Sequence, residues 1–431
     1  MTHLRYRNYF LVYLLLTACG YLPAQTPQPN YDEAQVPAYT LPDPLIATDG
    51  TPVTAAEWPA RRAELLRLFE DHVYGSVPGE LDSISWQIVE EGEAMRGKAL
   101  RRQVAISMYY GPHELRAGLL LYVPNQANGP VPVLLGMNFF GNHAVLPDTA
   151  VLLTPNWLPN QETYGITEHR AMEASRGARG HRWNPELVVG RGYAFATIYS
   201  GDFDGDRPDD WTDGVHPLFY TGTQQRPAVD EWGTIAAWAW GYSRAIDYLV
   251  TDSLLNPNQI VIMGHSRMGK AALWAGANDA RAAVVVSNNS GCGGAALSRR
   301  RYGETVASIN EAFPHWFNDR FPEYAGREED LPVDQHELIA LVAPRPVYVA
   351  SAVDDRWADP RGEFLAAYHA GPVYRLLGAS GLPQDTPPPP NEALDRATIG
   401  YHLRRRGHAV LDYDWNQFID FANYHFASSA D

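Results

Sequence analysis

The sequence predicts an α/β fold, a mainly parallel central sheet covered by helices on both faces, three layers in all. Three observations predict it. Short apolar runs rich in Val, Ile and Tyr recur along the chain, helical stretches separate them, and one serine sits in a glycine-flanked turn between a run and a helix. Runs of this kind mark strands buried on both faces, and their alternation with helices favours parallel pairing through crossovers.

Taken in order, "RAGLLLYVPN" (116–125), "PVPVLLGMNF" (130–139) and "GYAFATIYS" (192–200) read as strands, followed by "QIVIMG" (259–264), "AAVVVSN" (282–288) and "RPVYVAS" (345–351). Helical stretches lie at "EWGTIAAWAWGYSRAIDYLVTD" (231–252) and "GKAALWAGANDA" (269–280), and "DYDWNQFIDFANYHF" (412–426) reads as the last helix. The run "PPPP" at 387–390 predicts a stiff surface connection. With 431 residues, 45% of them apolar and 19% charged, the chain has enough apolar material for one large core. No break in composition divides residues 46–431, which are expected to form a single domain. A net charge of −16 leaves no basic footprint for nucleic acid.

At the start, Arg5 and Arg7 precede an apolar run from Tyr9 to Leu16, the layout of a secretory signal peptide, assigned to residues 1–19. The run is too short for a comfortable membrane span. It ends in Leu16-Thr17-Ala18-Cys19, which resembles the lipobox of bacterial lipoproteins; ordinary cleavage near "LPAQ" is the alternative. The protein is thus expected outside the cytoplasm, either in the periplasm or on the outer membrane through a lipid on Cys19, or secreted. Residues 20–45, rich in Pro and Gln, read as an irregular lead-in or tether. With the leader removed, Cys292 is the one cysteine inside the domain, so no intramolecular disulfide and no cysteine-based zinc site is expected.

The serine turn carries the chemistry. Gly264-His265-Ser266-Arg267-Met268-Gly269 lies between the strand "QIVIM" and a helix, the context of a nucleophile elbow. There a strained turn lifts the hydroxyl above the sheet edge, and the following amide, near a helix N-terminus, faces the developing oxyanion. The usual spacing is G-x-S-x-G; here the second glycine comes one residue later, so a strand-to-helix turn with a structural serine competes. The α/β-hydrolase order is serine, acid, histidine. Asp354 and Asp355 both follow the strand "RPVYVAS", where the acid belongs, and Gly407-His408 lies in a loop before the last helix, where the histidine belongs. His408 would take the Ser266 proton, and the aspartate would fix its tautomer. His402, in the preceding apolar stretch, is expected to pack or bond locally. Arg267 and Lys270 begin a helix, where positive charge opposes the helix dipole, which points to another use for both. Asn138, Asn142 and His143 follow a strand and are pocket candidates. His336 reads as a structural histidine bonded to backbone, and Cys292 as a small buried residue near the site.

The strings "GHSRMGKAALWAGANDARAAVVVSNNSGCGG", "LPVDQHELIALVAPRPVYVASAVDDRWADPRGEF" and "GHAVLDYDWNQFIDF" resemble the bacterial glucuronoyl esterases of carbohydrate esterase family fifteen. The upstream "GMNFFGNH" and "RGYAFATIYSGDFDGD" fit as well, so the resemblance runs over nearly the whole chain after the leader. It accounts for the displaced glycine through the family's G-x-S-R-x-G-K turn. It implies a serine esterase that cleaves esters of (4-O-methyl-)glucuronate, as in lignin–xylan links, without metal or organic cofactor. Ser266 would be the nucleophile, His408 the base, and Asp355, preferred over Asp354 by "D-x-W-A-D-P", the acid. Arg267 would serve the oxyanion through its amide and guanidinium. Lys270 and Glu304 would bind sugar hydroxyls, with Trp357 lining the same pocket. Many relatives carry a glutamate where this chain has Asn289; an amide carries no charge to steady an imidazolium, so Asp355 is expected to act alone. The partner is then a glucuronoxylan or lignin–carbohydrate ester, and a monomer is expected. Two alternatives remain: an acetyl-xylan or other carbohydrate esterase, and an inactive hydrolase fold that binds polysaccharide.

Overall fold

The computed structural model describes residues 28–209 and 211–428. Ten strands form one sheet: β1 (Ser83–Ala94), β2 (Ala99–Tyr110), β3 (His113–Pro124), β4 (Val131–Asn138), β5 (Ala194–Tyr199), β6 (Leu255–His265), β7 (Val284–Asn288), β8 (Val347–Ala352), β9 (Glu392–Leu394) and β10 (Ile399–Arg404). Their spatial order is β1-β2-β3-β5-β4-β6-β7-β8-β10-β9. From β5 to β10 every neighbour pair is parallel. β1 to β3 make an antiparallel meander on one flank, and β9 closes the other edge antiparallel.

Alternation along the central strands sorts side chains into two cores. Val133, Leu135, Ile260, Ile262, Val285, Val347 and Val349 face one side, where Trp58–Phe69, Thr234–Leu249, Arg267–Asn278 and Pro360–Leu376 supply the helical cover. Leu134, Val261, Met263, Val284, Val286 and Tyr348 face the other, against Pro185–Gly190 and Asp412–Ser428. The result is the expected three-layer sandwich. All six runs read as strands are strands.

The sequence reading missed β1, β2, β9 and β10, and two of them show why. β1 is an edge strand whose Trp86, Ile88 and Val89 stay exposed, so it shows no buried run. β10, "IGYHLR", hides two polar residues, His402 and Arg404, which are buried because both reach the Asp414 carboxylate. The lead-in also differs from a free tether. Residues 28–45 are irregular apart from the short turn Glu33–Gln35, but they are tied to the domain. Arg61 Nε donates to Pro44 O at 3.2 Å, His336 Nε2 lies 2.8 Å from Pro42 O, and Glu33 pairs with Arg300 at 2.7 Å. His336 is therefore the backbone-bonded structural residue expected of it. The leader and Cys19 lie outside the described residues.

Candidate active site

Ser266 follows the last residue of β6 and precedes the helix Arg267–Asn278, at φ 59° and ψ −129°. A side chain at positive φ costs about 1–3 kcal/mol and persists only where the surroundings enforce it. Here two glycines do so. A Cβ on Gly264 would overlap the carbonyl of Met268, and one on Gly269 would lie 2.9 Å from Ser290 Cβ and 3.1 Å from Ser287 Oγ. The second glycine thus stands where the helix crosses the loop after β7. Met268, at the usual glycine position, is instead turned fully into the core. Gly264→Ala should therefore cost on the order of 3–5 kcal/mol of stability. Gly269→Ala should cost less, because its nearest contacts are side-chain atoms and the backbone oxygen of Gly264 stays 3.2 Å away. Chemical denaturation of both variants reads the ranking.

His408 sits on the loop between β10 and the last helix with 39% of its side chain exposed, and its Nδ1 lies 2.6 Å from Asp355 Oδ2. The same oxygen accepts Asn289 Nδ2 at 2.8 Å. Asp355 is buried while Asp354 is exposed, so the local geometry separates the two candidates. Asn289 acts as a donor that steadies the Asp355 carboxylate. Arg404 shapes the loop: its guanidinium donates to the carbonyls of Arg405, Gly407 and Ala409 and pairs with Asp414. Asp414 also accepts the amide of Leu411 at the helix start. His402 bonds Asp414 and Tyr348 in full burial, which pulls its pKa down; it is structural, as expected.

The two cations behave differently. The Arg267 guanidinium lies over Trp316 (4.8 Å), Phe313 (5.3 Å) and Phe139 (5.5 Å) and pairs with Asp206. Burial would raise the Asp206 pKa, but hydrogen bonds from His315 and Trp316 and the charge of Arg267 outweigh it and hold the carboxyl at about 2. Lys270 is buried. Its Nζ donates to Ser290 O at 2.6 Å and to Cys292 O, and lies 3.4 Å from Glu304 Oε2. The Glu304 amide in turn donates to Trp357 O at 2.9 Å, and the Trp357 side chain is exposed. Lys270, Glu304 and Trp357 are thus brought together. Asn138, Asn142 and His143 are not part of this group: Asn138 braces Asn142, Thr197 and the Ile198 carbonyl, and His143 bonds Ser175, with burial lowering its pKa to about 4. Cys292 is buried, which pushes its thiol far above the usual range.

Sequence reasoning did not find Asp206, His265, Arg182, Arg404, Asp414 or Glu363. Glu363, fully buried, accepts the amides of Ser290 (2.7 Å) and Gly291 (3.0 Å) and the Ser351 hydroxyl (2.6 Å), and burial lifts its carboxyl to about 8. It pins the loop that holds Asn289 and the carbonyls around Lys270.

The strand order, with the serine elbow after β6 and an acid–imidazole pair beyond later strands, defines an α/β-hydrolase fold. Comparison with known proteins makes this specific: the chain belongs to the glucuronoyl esterases of carbohydrate esterase family fifteen and is a carboxylic ester hydrolase. A family model described as "Glucuronyl esterase, fungi" matches residues 219–378. A curated carbohydrate esterase from an unknown prokaryotic organism is 47% identical over 432 residues, covering 99% of this chain and 100% of its own length. The 4-O-methyl-glucuronoyl methylesterase of Schizophyllum commune is 27% identical over 395 residues, 88% of this chain and 81% of its own. Among solved structures, a promiscuous esterase of the same family from a marine bacterial metagenome superposes with a TM-score of 0.86 at 48% identity, over 92% of this chain and 100% of its own. A glucuronoyl esterase from Solibacter usitatus gives 0.84 at 40% identity, over 91% and 100%.

Proposed function

We propose that the protein hydrolyses esters in which the carboxyl group of a (4-O-methyl-)glucuronate is bound to an alcohol, as in cross-links between glucuronoxylan and lignin. The observation that carries this reading is the 2.6 Å contact between His408 and Asp355 on a chain whose relatives are glucuronoyl esterases. The Asp355 contact requires the proton on His408 Nδ1, which leaves Nε2 as a lone-pair base. Nε2 takes the Ser266 proton as the hydroxyl oxygen attacks the ester carbonyl. The Arg267 amide, at the helix start, and the aromatic-caged guanidinium stabilise the oxyanion. The imidazolium protonates the departing alcohol. Water, activated by the same nitrogen, then releases the uronate from Ser266. Lys270 and Glu304 present a donor and an acceptor to ring hydroxyls, beside the flat face of Trp357.

The test compares release of benzyl alcohol from benzyl glucuronate with release of acetate from acetylated xylan. The uronate ester should be hydrolysed with the higher kcat/KM. Lys270→Met should raise KM for it by about 10- to 100-fold, the worth of a charged hydrogen bond, while 4-nitrophenyl acetate turnover is little changed. Acetate release alone would assign the protein to the carbohydrate acetylesterases. One observation favours a broader second activity on acetyl esters: the relative superposing at 48% identity is described as promiscuous. The leader supports export, and the mass of the mature N-terminus separates a lipid on Cys19 from simple cleavage.

A further inference from the structure

The guanidinium of Arg267, next to the nucleophile, carries N–H donors only. Nη1 pairs with Asp206, and among the described residues the group has no other hydrogen-bond partner. Its Nε is buried and unpaired. Phe139, Phe313 and Trp316 all have their rings within 5.5 Å of it, and Phe313 lies flat on Trp316 at 3.7 Å. Aromatic faces attract a cation but give it no directional bond. With 27% of its side chain exposed, a long flexible arginine held by rings alone would sample several orientations. Direction comes from Asp206.

Asp206 is itself fixed. Its Oδ1 accepts His315 Nε2 at 3.0 Å and Trp316 Nε1 at 2.9 Å, which leaves Oδ2 for Arg267. Both donors belong to a segment seated on the start of the helix Thr234–Leu249. The carbonyls of His315 and Trp316 accept the amides of Thr234 and Ile235, each at 3.0 Å. The loop that carries Asp206 is rooted in the same helix. Thr234 Oγ1 donates to Asp204 Oδ2 at 2.5 Å, and Trp238 Nε1 donates to the Asp204 carbonyl at 3.0 Å. Acid and donors therefore share one base. A carboxylate suits this place because all three neighbours donate and both of its oxygens accept. An amide would turn its NH₂ group toward either Arg267 or the His315–Trp316 pair.

Charge alone would argue against an acid here. A carboxylate beside a developing oxyanion opposes it and cancels part of the guanidinium charge. Orientation is the compensating gain, since a donor already aimed needs no reorganisation when the negative charge forms. We infer that Asp206 is a positioning residue for the esterase: it holds Nη1 of Arg267 and so aims Nη2 at the oxyanion of the ester attacked by Ser266. Arg267 then acts through a directed N–H rather than through net charge.

The inference rests on the proposed roles of Ser266 and Arg267 but not on the sugar, so 4-nitrophenyl acetate and benzyl glucuronate both serve as probes. Asp206→Asn should lower kcat by about 10- to 100-fold on both esters. KM should stay within about threefold, because the oxyanion exists only along the reaction path. In an Arg267→Ala background the same change should lower kcat by less than about threefold. Equal losses in the two backgrounds would make Asp206 a structural acid and overturn the inference. So would an unchanged kcat, or a loss confined to benzyl glucuronate with a raised KM, which would assign Asp206 to sugar binding. Should the asparagine variant not fold, Asp206→Ser carries the same cycle; if neither folds, Asp206 is a folding residue and the inference fails. An Arg267→Ala variant that keeps its kcat on both esters overturns the proposed oxyanion role of Arg267 as well, whereas equal losses in the cycle overturn this inference alone.

Discussion

Ser266→Ala should lower kcat on every ester by on the order of 10⁴- to 10⁶-fold. On the proposed mechanism the loss would come from removing the attacking hydroxyl, with His408, Asp355 and Arg267 all still in place. Global stability should change little, because alanine at φ 59° meets the same backbone strain as serine. The measurement is steady-state hydrolysis of benzyl glucuronate and of 4-nitrophenyl acetate, with a thermal melt as control. Retained turnover would place the nucleophile elsewhere. A wild type that turns over no ester, beside an alanine variant that binds xylan equally well, would favour the polysaccharide-binding alternative.

Asp355→Asn should be nearly as severe, with kcat lower by about 10⁴. An amide at that position can present either end to His408. With its NH₂ group toward Nδ1, the imidazole proton moves to Nε2, where it blocks acceptance of the Ser266 proton. Asn289 opposes that flip, since its own NH₂ points at the same Oδ2 position and is matched by an amide oxygen there, so the lost negative charge on the partner of His408 carries most of the effect. Among the described residues no other carboxylate bonds His408: Asp354 is exposed, and Glu363 is occupied by two amides and a hydroxyl. Asp354→Asn is the matched control and should leave the rate within about twofold. Comparable losses in the two variants would dismiss the single-acid account.

Much of the proposed site was legible because its signals are local. A strand, a glycine, a serine and a helix start lie within a dozen residues, and the acid and histidine each follow a recognisable strand or precede a recognisable helix. The unread part consists of partners that meet only in three dimensions. Asp206 stands 61 positions from Arg267, and Arg182 stands 83 from His265. Nothing in either local string distinguishes these charges from solvated ones. Arg404 and Asp414 were hidden for a related reason: two buried charges that cancel each other leave a strand looking polar. β1 escaped notice because an edge strand with one open face has little reason to be apolar.

The six residues Asn288–Gly293, the end of β7 and the turn after it, reach every part of the proposed site. Asn288 bonds His265, Asn289 bonds Asp355, the carbonyls of Ser290 and Cys292 seat Lys270, and Glu363 clamps the turn through the Ser290 amide. A change there would disturb chemistry and recognition at once. Attempts to retune which ester is accepted should therefore leave this knot alone and work at the open rim, beginning with Trp357, where shape can vary without moving the reacting atoms.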